Sequence, residues 1–402
     1  MESVPLVRVG FFPLDEQLGL LPGSLSPRSQ EQLAHLATWM PYARAMQMFK
    51  RFTGVQISEA TARRHTSRLG SAVLAVQNAQ ASQEPNQVRD RAGQDQLIVS
   101  PDGAMVPLVH GQWAEVKTVV VGEVQPLGPG EGVHSTRLSY FSRMVDAQTF
   151  IEQASGELVR RGVDQAKHVC AVMDGAEWID GFVDWQCKDA RRILDFAHAA
   201  EYVSDIGQLA QTAGSALPPD WLTKLLHTLK HQGPQTVLHE VKRWRDRHPE
   251  VEDIAKKVAY LQKRETRMQY PQFQADGWPI GSGIVESGNK VVMQARLKGP
   301  GMHWAPANVN PMLALRTSAC NDRWDESVVL ARAFLHQQRL EQRRRCQFTR
   351  YERRLRPLLV CIWLFTHRAK SPAPVLTSSP KRPHPHRPSA THPWRKSLLA
   401  KK

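Results

Sequence analysis

Four β-branched runs separated by turns limit what this chain can become. They read QLIVS at Gln96–Ser100, VKTVVVGEV at Val116–Val124, STRLSYFSR at Ser135–Arg143 and HVCAVM at His168–Met173. Apolar runs of this length, bounded by turn residues, mark strands. The first three follow one another with turns between them, which lets them pair as an antiparallel meander. The fourth comes after an amphipathic helix at Ala147–Arg161, and a helical connection is what allows a strand to join in parallel. A short helix at Trp178–Gln186 and a further strand at Arg192–Leu194 continue the pattern. The class expected is α/β. Pro101 directly follows the first run. A proline removes a ladder donor, so the strand is expected either to end at Ser100 or to bulge there.

The flanks are different in kind. Residues 28–70 carry helical apolar spacing, at Leu33, Leu36, Ala37 and Met40 and again at Ala45, Met46 and Phe49. Gly54 turns the chain, Ser58 is placed to cap the next helix, and that helix carries Arg63 and Arg64. Helix, glycine turn and capped basic helix make a helix-turn-helix pattern that binds DNA, or a plain αα-hairpin. Residues 79–95 are polar and turn-rich, a linker. Residues 199–270 lose strand character, with helical stretches at Trp221–Lys230 and Thr236–Arg247, and Ile284–Leu297 is helical again. From Ser371 the chain is rich in Pro, Ser, Arg and His, a composition that stays disordered.

Charge is concentrated at one end. The chain has a formal net charge of +15, and residues 331–402 hold 18 Lys/Arg against 2 Asp/Glu. The remaining residues hold 35 basic against 36 acidic side chains. A basic region on a neutral body fits a polyanion, nucleic acid before membrane, or serves as a solubilising tail. The five cysteines are scattered, with no C-x-x-C pair, which points to a reducing interior. No signal pattern is present, and the longest apolar run, Pro357–Phe365, falls short of the roughly 18–20 residues that span a bilayer. A soluble cytoplasmic protein is expected.

Three carboxylates stand at telling positions. Asp102 follows the first strand, Asp174 ends HVCAVM, and Glu286 lies in the first turn of the helix after Gly281-Ser282-Gly283. Ligands of open α/β sheets bind at strand ends. Each residue also has an ordinary explanation: Asp before Gly makes a turn, and Glu in a first turn suits the helix dipole. Together they make an all-oxygen set of the kind that holds Mg²⁺, and two such ions can serve phosphoryl transfer. The glycines themselves mimic a dinucleotide-binding turn. However, that motif needs a preceding strand, and residues 271–280 (PQFQADGWPI) supply two prolines and no strand.

The blocks SPDG (Ser100–Gly103), MDGAEWI (Met173–Ile179), LDFAHAAEYV (Leu194–Val203), GSGIVESGNK (Gly281–Lys290), RLKGPGMHW (Arg296–Trp304) and CNDRWDE (Cys320–Glu326) resemble, in order and spacing, those of bacterial insertion-sequence transposases of the DDE type, specifically the Kra group. PLDEQLGL (Pro13–Leu20) and HPWRK (His392–Lys396) are similar to that group as well. The resemblance implies a ribonuclease-H-like catalytic core with a helical insertion, preceded by an all-α helix-turn-helix-like region and followed by a basic disordered tail. It places the DNA-binding region at 1–90, the first part of the core at 91–198, the insertion at 199–276, the last part of the core with its catalytic helix at 277–330, and the basic C-terminal region at 331–402.

It further implies metal-dependent cleavage at element ends and 3′-hydroxyl strand transfer into target DNA. Asp102, Asp174 and Glu286 would bind Mg²⁺ or Mn²⁺, as two ions. Asp195 and His198 match a D-x-x-H pair that orients substrate or supports the site, although His198 also reads as a helix-start residue packed beside Tyr202. Arg296 and Lys298 would contact DNA phosphate. Trp304 would stack on a base or belong to the core. The partners implied are terminal inverted repeats and target DNA, with a homo-oligomer assembled on them near the bacterial nucleoid. The segment ahead of PLDEQLGL lacks the cysteine pairs that members of the group often carry. That keeps open an inactive copy acting as a DNA-binding repressor.

Overall fold

A computed structural model of the chain describes residues 25–81, 95–128 and 132–366. The PLDEQLGL and HPWRK blocks, most of the expected linker and the Pro-rich tail lie outside the described residues. The chain forms two units, Met1–Gln338 and Arg339–Lys402.

Five strands make one mixed sheet in the order β3-β2-β1-β4-β5. β1 (Gln96–Pro107), β2 (Trp113–Gly128) and β3 (Gly132–Arg143) are antiparallel neighbours. β4 (His168–Met173) and β5 (Arg191–Leu194) add in parallel, each after a helix: α4 (Ala147–Arg160) and α5 (Glu177–Gln186). The meander and the parallel additions agree with the sequence pattern.

β1 differs from expectation at Pro101. It neither ends nor bulges there: Ser100, Pro101 and Asp102 pair in unbroken register with Val120, Val119 and Thr118. The reason lies on the other side of the strand. β4 pairs with β1 only as far as Val99, so Pro101 has a strand neighbour on one side alone, the edge-like setting in which proline is tolerated.

Alternation sends the apolar residues of the sheet to two faces. Leu97, Val99, Val119, Val121, Ala171 and Met173 face α4 and α5. Ile98, Cys170, Val172, Ile193 and Leu194 face α6 (Phe196–Thr212), α7 (Trp221–His231), α8 (Pro234–Arg247), α9 (Glu252–Lys263) and α10 (Tyr270–Ala275). The expected insertion is thus the second layer of the sheet's own core, and its first helix begins at Phe196. Each fully buried Val, Leu or Ile contributes about 1.5–3 kcal/mol, so the insertion and the sheet stabilise each other.

α11 (Gly283–Gly288) runs on into a π-helical stretch, Asn289–Gln294, and a last turn, Ala295–Leu297. It lies on the same face as the insertion helices, over the β1–β2–β3 meander. Val292, Met293 and Leu297 pack there with Val106 and Val116 of the meander and with α12 (Pro306–Cys320). α12 also guards the edge of β3. The side-chain amides of Asn310 and Asn321 pair with the backbone N–H and C=O of Met144 and Tyr140, at 2.7 to 3.1 Å. These are the groups a free edge would offer to another strand.

The N-terminal helices α1 (Pro27–Trp39), α2 (Tyr42–Thr53) and α3 (Glu59–Ala81) join this assembly and are not a separate body. α3 shares a buried cluster with α12 and with the start of α13 (Trp324–Thr366). Among the described residues no helix is long and apolar enough to cross a membrane.

Gly288 is where α11 comes closest to the sheet. A Cβ there would lie 2.7 Å from Val120 Cγ2 and 3.2 Å from Tyr140 Cδ1. We predict that Gly288→Val costs about 1–3 kcal/mol by overpacking, read as a lowered urea midpoint. An unchanged midpoint would contradict this docking.

Candidate active site

The register of β1 and β4 decides where the first two carboxylates meet. Val99 is opposite Ala171 on neighbouring parallel strands, and three residues beyond them come Asp102 and Asp174. Both are half-buried. α11 lies over them with Glu286, exposed, in its first turn. The structure therefore brings together the three carboxylates singled out in the sequence, close enough to act on one another. Burial pushes the Asp102 carboxyl up to about 6, and repulsion from Asp174 and Glu286 adds to the rise. Hydrogen bonds from the Gly103 N–H at 2.7 Å and the Asn289 side-chain amide at 2.8 Å oppose it. Among the described residues, no three His, Cys, Asp or Glu side chains form a ready-made metal cage.

The backbone after Asp174 is held from the insertion. Gly175 has φ +79°, a left-handed conformation that favours glycine. The Tyr260 hydroxyl donates to the Asp174 carbonyl, and Arg264 Nη2 donates to the Gly175 carbonyl at 2.6 Å. The Arg264 guanidinium also lies 3.7 Å above the Tyr260 ring. Asp174 Oδ1 accepts from the Ala176 N–H at 2.8 Å, closing the turn into α5.

Asp195 and His198 are placed side by side but do different work. Asp195 is buried and caps α6, accepting from the His198 backbone N–H at 3.2 Å. Its other oxygen accepts from the Ser282 N–H at 3.0 Å. One carboxylate thus ties β5 and α6 to the loop that launches α11, a supporting role for the position of Glu286. The His198 ring packs on Tyr202, with centroids 5.1 Å apart, and faces Tyr260 at 6.1 Å. This is the packing alternative for His198.

Arg296, expected to touch DNA phosphate, is inside the protein, and Trp304 takes the core alternative. Arg296 is 2% exposed, its Nε donates to the Ala37 carbonyl at 2.7 Å, and it sits against the Tyr42 and Trp304 rings. Trp304 is 7% exposed, with its indole N–H on the Leu297 carbonyl at 3.2 Å. In this conformation Arg296 offers no phosphate contact and Trp304 no stacking face, because both are consumed by packing against the N-terminal helices and the end of α11. Lys298 is exposed, its Nζ 5.9 Å from the centroid of the exposed Trp113 ring. Arg63 and Arg64 are exposed on α3, after a turn with Gly54 at φ +73° and a Ser58 side chain that accepts from the Thr61 N–H at 3.2 Å.

Sequence reasoning missed Asn289, Tyr260 and Arg264. Asn289 had a signal, the i, i+3 spacing from Glu286 that puts two side chains on one side of a helix. Tyr260 and Arg264 had none, since only the tertiary fold brings α9 to the end of β4. With the geometry in place, no family model matches the chain and no curated protein matches it.

The raised Asp102 carboxyl has a pH signature. Its folded value, about 6, lies above the ordinary 3.8, so the native state holds this proton more tightly than the unfolded chain. Stability is favoured below the unfolded value and falls as pH rises through about 6. Allowing for partial solvent screening, the loss is about 1–2 kcal/mol. We predict that Asp102→Asn flattens this segment, so that urea midpoints of wild type and variant diverge between pH 4 and pH 8 in favour of the variant. A constant difference across that range would be the contrary result.

Proposed function

We propose that this chain is a DDE-type transposase, similar to the Kra group of insertion sequences, that cuts DNA at the ends of a mobile element and joins the freed 3′-hydroxyl to target DNA. The observation that carries the reading is the placing of Asp102 in β1 and of Asp174 just past the end of its parallel neighbour β4, with Glu286 in the first turn of α11, Asp174 and Glu286 both near enough to act on Asp102. The mixed sheet is compatible with a ribonuclease-H-like core, and the helices between Asp174 and Glu286 correspond to an insertion.

The donor set suits Mg²⁺ or Mn²⁺. It is all oxygen and carries like charges that repel until a cation joins them. A missing three-residue cage is no obstacle, because Mg²⁺ is commonly held by one or two carboxylates plus substrate phosphate. Bound there, one or two ions would supply the charge that polarises the scissile phosphate and readies the attacking oxygen. The chain's own residues do the rest. Asp102 and Asp174 hold the cation position from the sheet. Glu286 approaches from the helix, and Asp195 fixes the loop that aims it. Tyr260 and Arg264 keep the Asp174 turn from shifting. Direct displacement needs no protein nucleophile.

Binding of the terminal inverted repeats falls to the exposed face of α3, through Arg63 and Arg64. The exposed Lys298 and the basic region beyond residue 331 add sequence-independent attraction. A homo-oligomer would bring two element ends together. Should the chain bind an inverted-repeat end without cutting it, it would be an inactive relative that acts as a repressor.

We predict that the full chain cleaves an inverted-repeat end only with Mg²⁺ or Mn²⁺, and that Asp174→Asn and Glu286→Gln lower the rate on the order of 10²-fold or more. Activity that survives either change sinks the triad. In a separate binding assay, Arg63→Ala and Arg64→Ala should each weaken duplex binding and reduce its log–log salt slope by about 1. An unchanged slope would place the duplex elsewhere on the surface.

A further inference from the structure

Asn289 is the first residue of the π-helical stretch and is 3% exposed. Its Nδ2 donates to Asp102 Oδ2 at 2.8 Å, while Gly103 N–H takes Asp102 Oδ1. Its own Oδ1 is buried and has no hydrogen-bond partner. That orphan acceptor costs stability, and an apolar side chain of the same size would not incur the cost. Turning the amide over would not help, because it would set Oδ1 against a carboxylate oxygen.

We infer that Asn289 is a positioning residue, whose amide holds Asp102 in one orientation for a divalent cation without neutralising it. This rests on the metal-dependent reading above. The choice of amide has a physical reason. A Lys or Arg in its place would bring a positive charge to Asp102 and compete with the cation. An amide donates a hydrogen bond and leaves the carboxylate its full charge. Each carboxylate oxygen can accept twice, so with Gly103 on one and Asn289 on the other, one acceptor site remains on each. Gly288, beside Asn289, lets the helix come close enough to the sheet for the short amide to reach.

The test uses Mn²⁺ alone as probe, titrated into the full chain without DNA at pH 8 and followed by electron paramagnetic resonance, with urea midpoints measured in parallel. Asn289→Leu keeps the number and branching of side-chain heavy atoms and removes the orphan acceptor. We expect Mn²⁺ affinity to fall about tenfold while the midpoint holds or rises. Asn289→Ala, should Leu pack badly, is expected to show the same loss of affinity. Variants that bind Mn²⁺ as wild type does, whether or not they lose stability, overturn the inference and leave the metal site standing. A wild type that binds no Mn²⁺ in the absence of DNA overturns the inference, and the metal-dependent reading is then decided by the cleavage assay.

Discussion

Two carboxylates at the ends of neighbouring parallel strands, Asp102 in β1 and Asp174 just past β4, repel each other, and much of the surrounding structure serves to keep them there. The parallel register of β1 and β4 sets their spacing, and alternation turns both toward one face. That face is the one on which the insertion helices and α11 pack. Burial, and after it repulsion from Asp174 and Glu286, raises the Asp102 carboxyl, and two neutral donors, the Gly103 N–H and the Asn289 amide, oppose the rise. A fold that merely needed stability would place apolar residues at these strand ends. Each of these carboxylates also holds a turn, Asp102 through the Gly103 N–H and Asp174 through the Ala176 N–H; the proposed cation would give a reason for their being neighbours.

The N-terminal helices are tied into the same region by buried arginines. Arg296 and Arg316 donate to the carbonyls of Ala37 and Thr38, in the last turn of α1. Those carbonyls are the unsatisfied, negative end of the helix, where a guanidinium is well placed. Arg316 also donates to the carbonyls of Val291 and Val292, within the π-helical stretch. Burial lowers the pKa of both arginines, yet among the described residues no carboxylate pairs with either one, and the carbonyl dipoles stand in. The helix that carries Glu286 is therefore fastened at one end by Asp195 to the sheet and at the other by Arg316 and Arg296 to α1. Arg63 and Arg64 on α3 and Glu286 on α11 thus belong to one packed unit.

Most of the fold was legible because its signals are local. Four β-branched runs bounded by turns, and the further strand at Arg192–Leu194, correspond to the five strands, and HVCAVM matches β4 residue for residue. Asp102, Asp174 and Glu286 were legible because strand ends and first helical turns can be read without knowing what packs on them. What failed was whatever depended on distant partners. Pro101 sits inside a strand because β4 stops at Val99, a fact of register and not of the QLIVSP segment. Arg296 looked like a DNA contact because Ala37 and Tyr42, which cover it, lie more than 250 residues earlier, whereas Trp304 takes the core place also read for it. The helices of 199–276 were legible as helices, but helical periodicity does not say which sheet they cover.

Anomalous diffraction from crystals of the chain grown with Mn²⁺ and an inverted-repeat DNA end tests the central claim most directly. The proposed site predicts a manganese peak bonded to carboxylate oxygens of Asp102 and Asp174, next to a phosphate of the bound end. Manganese bound elsewhere, with these two carboxylates left free beside the DNA, would contradict it.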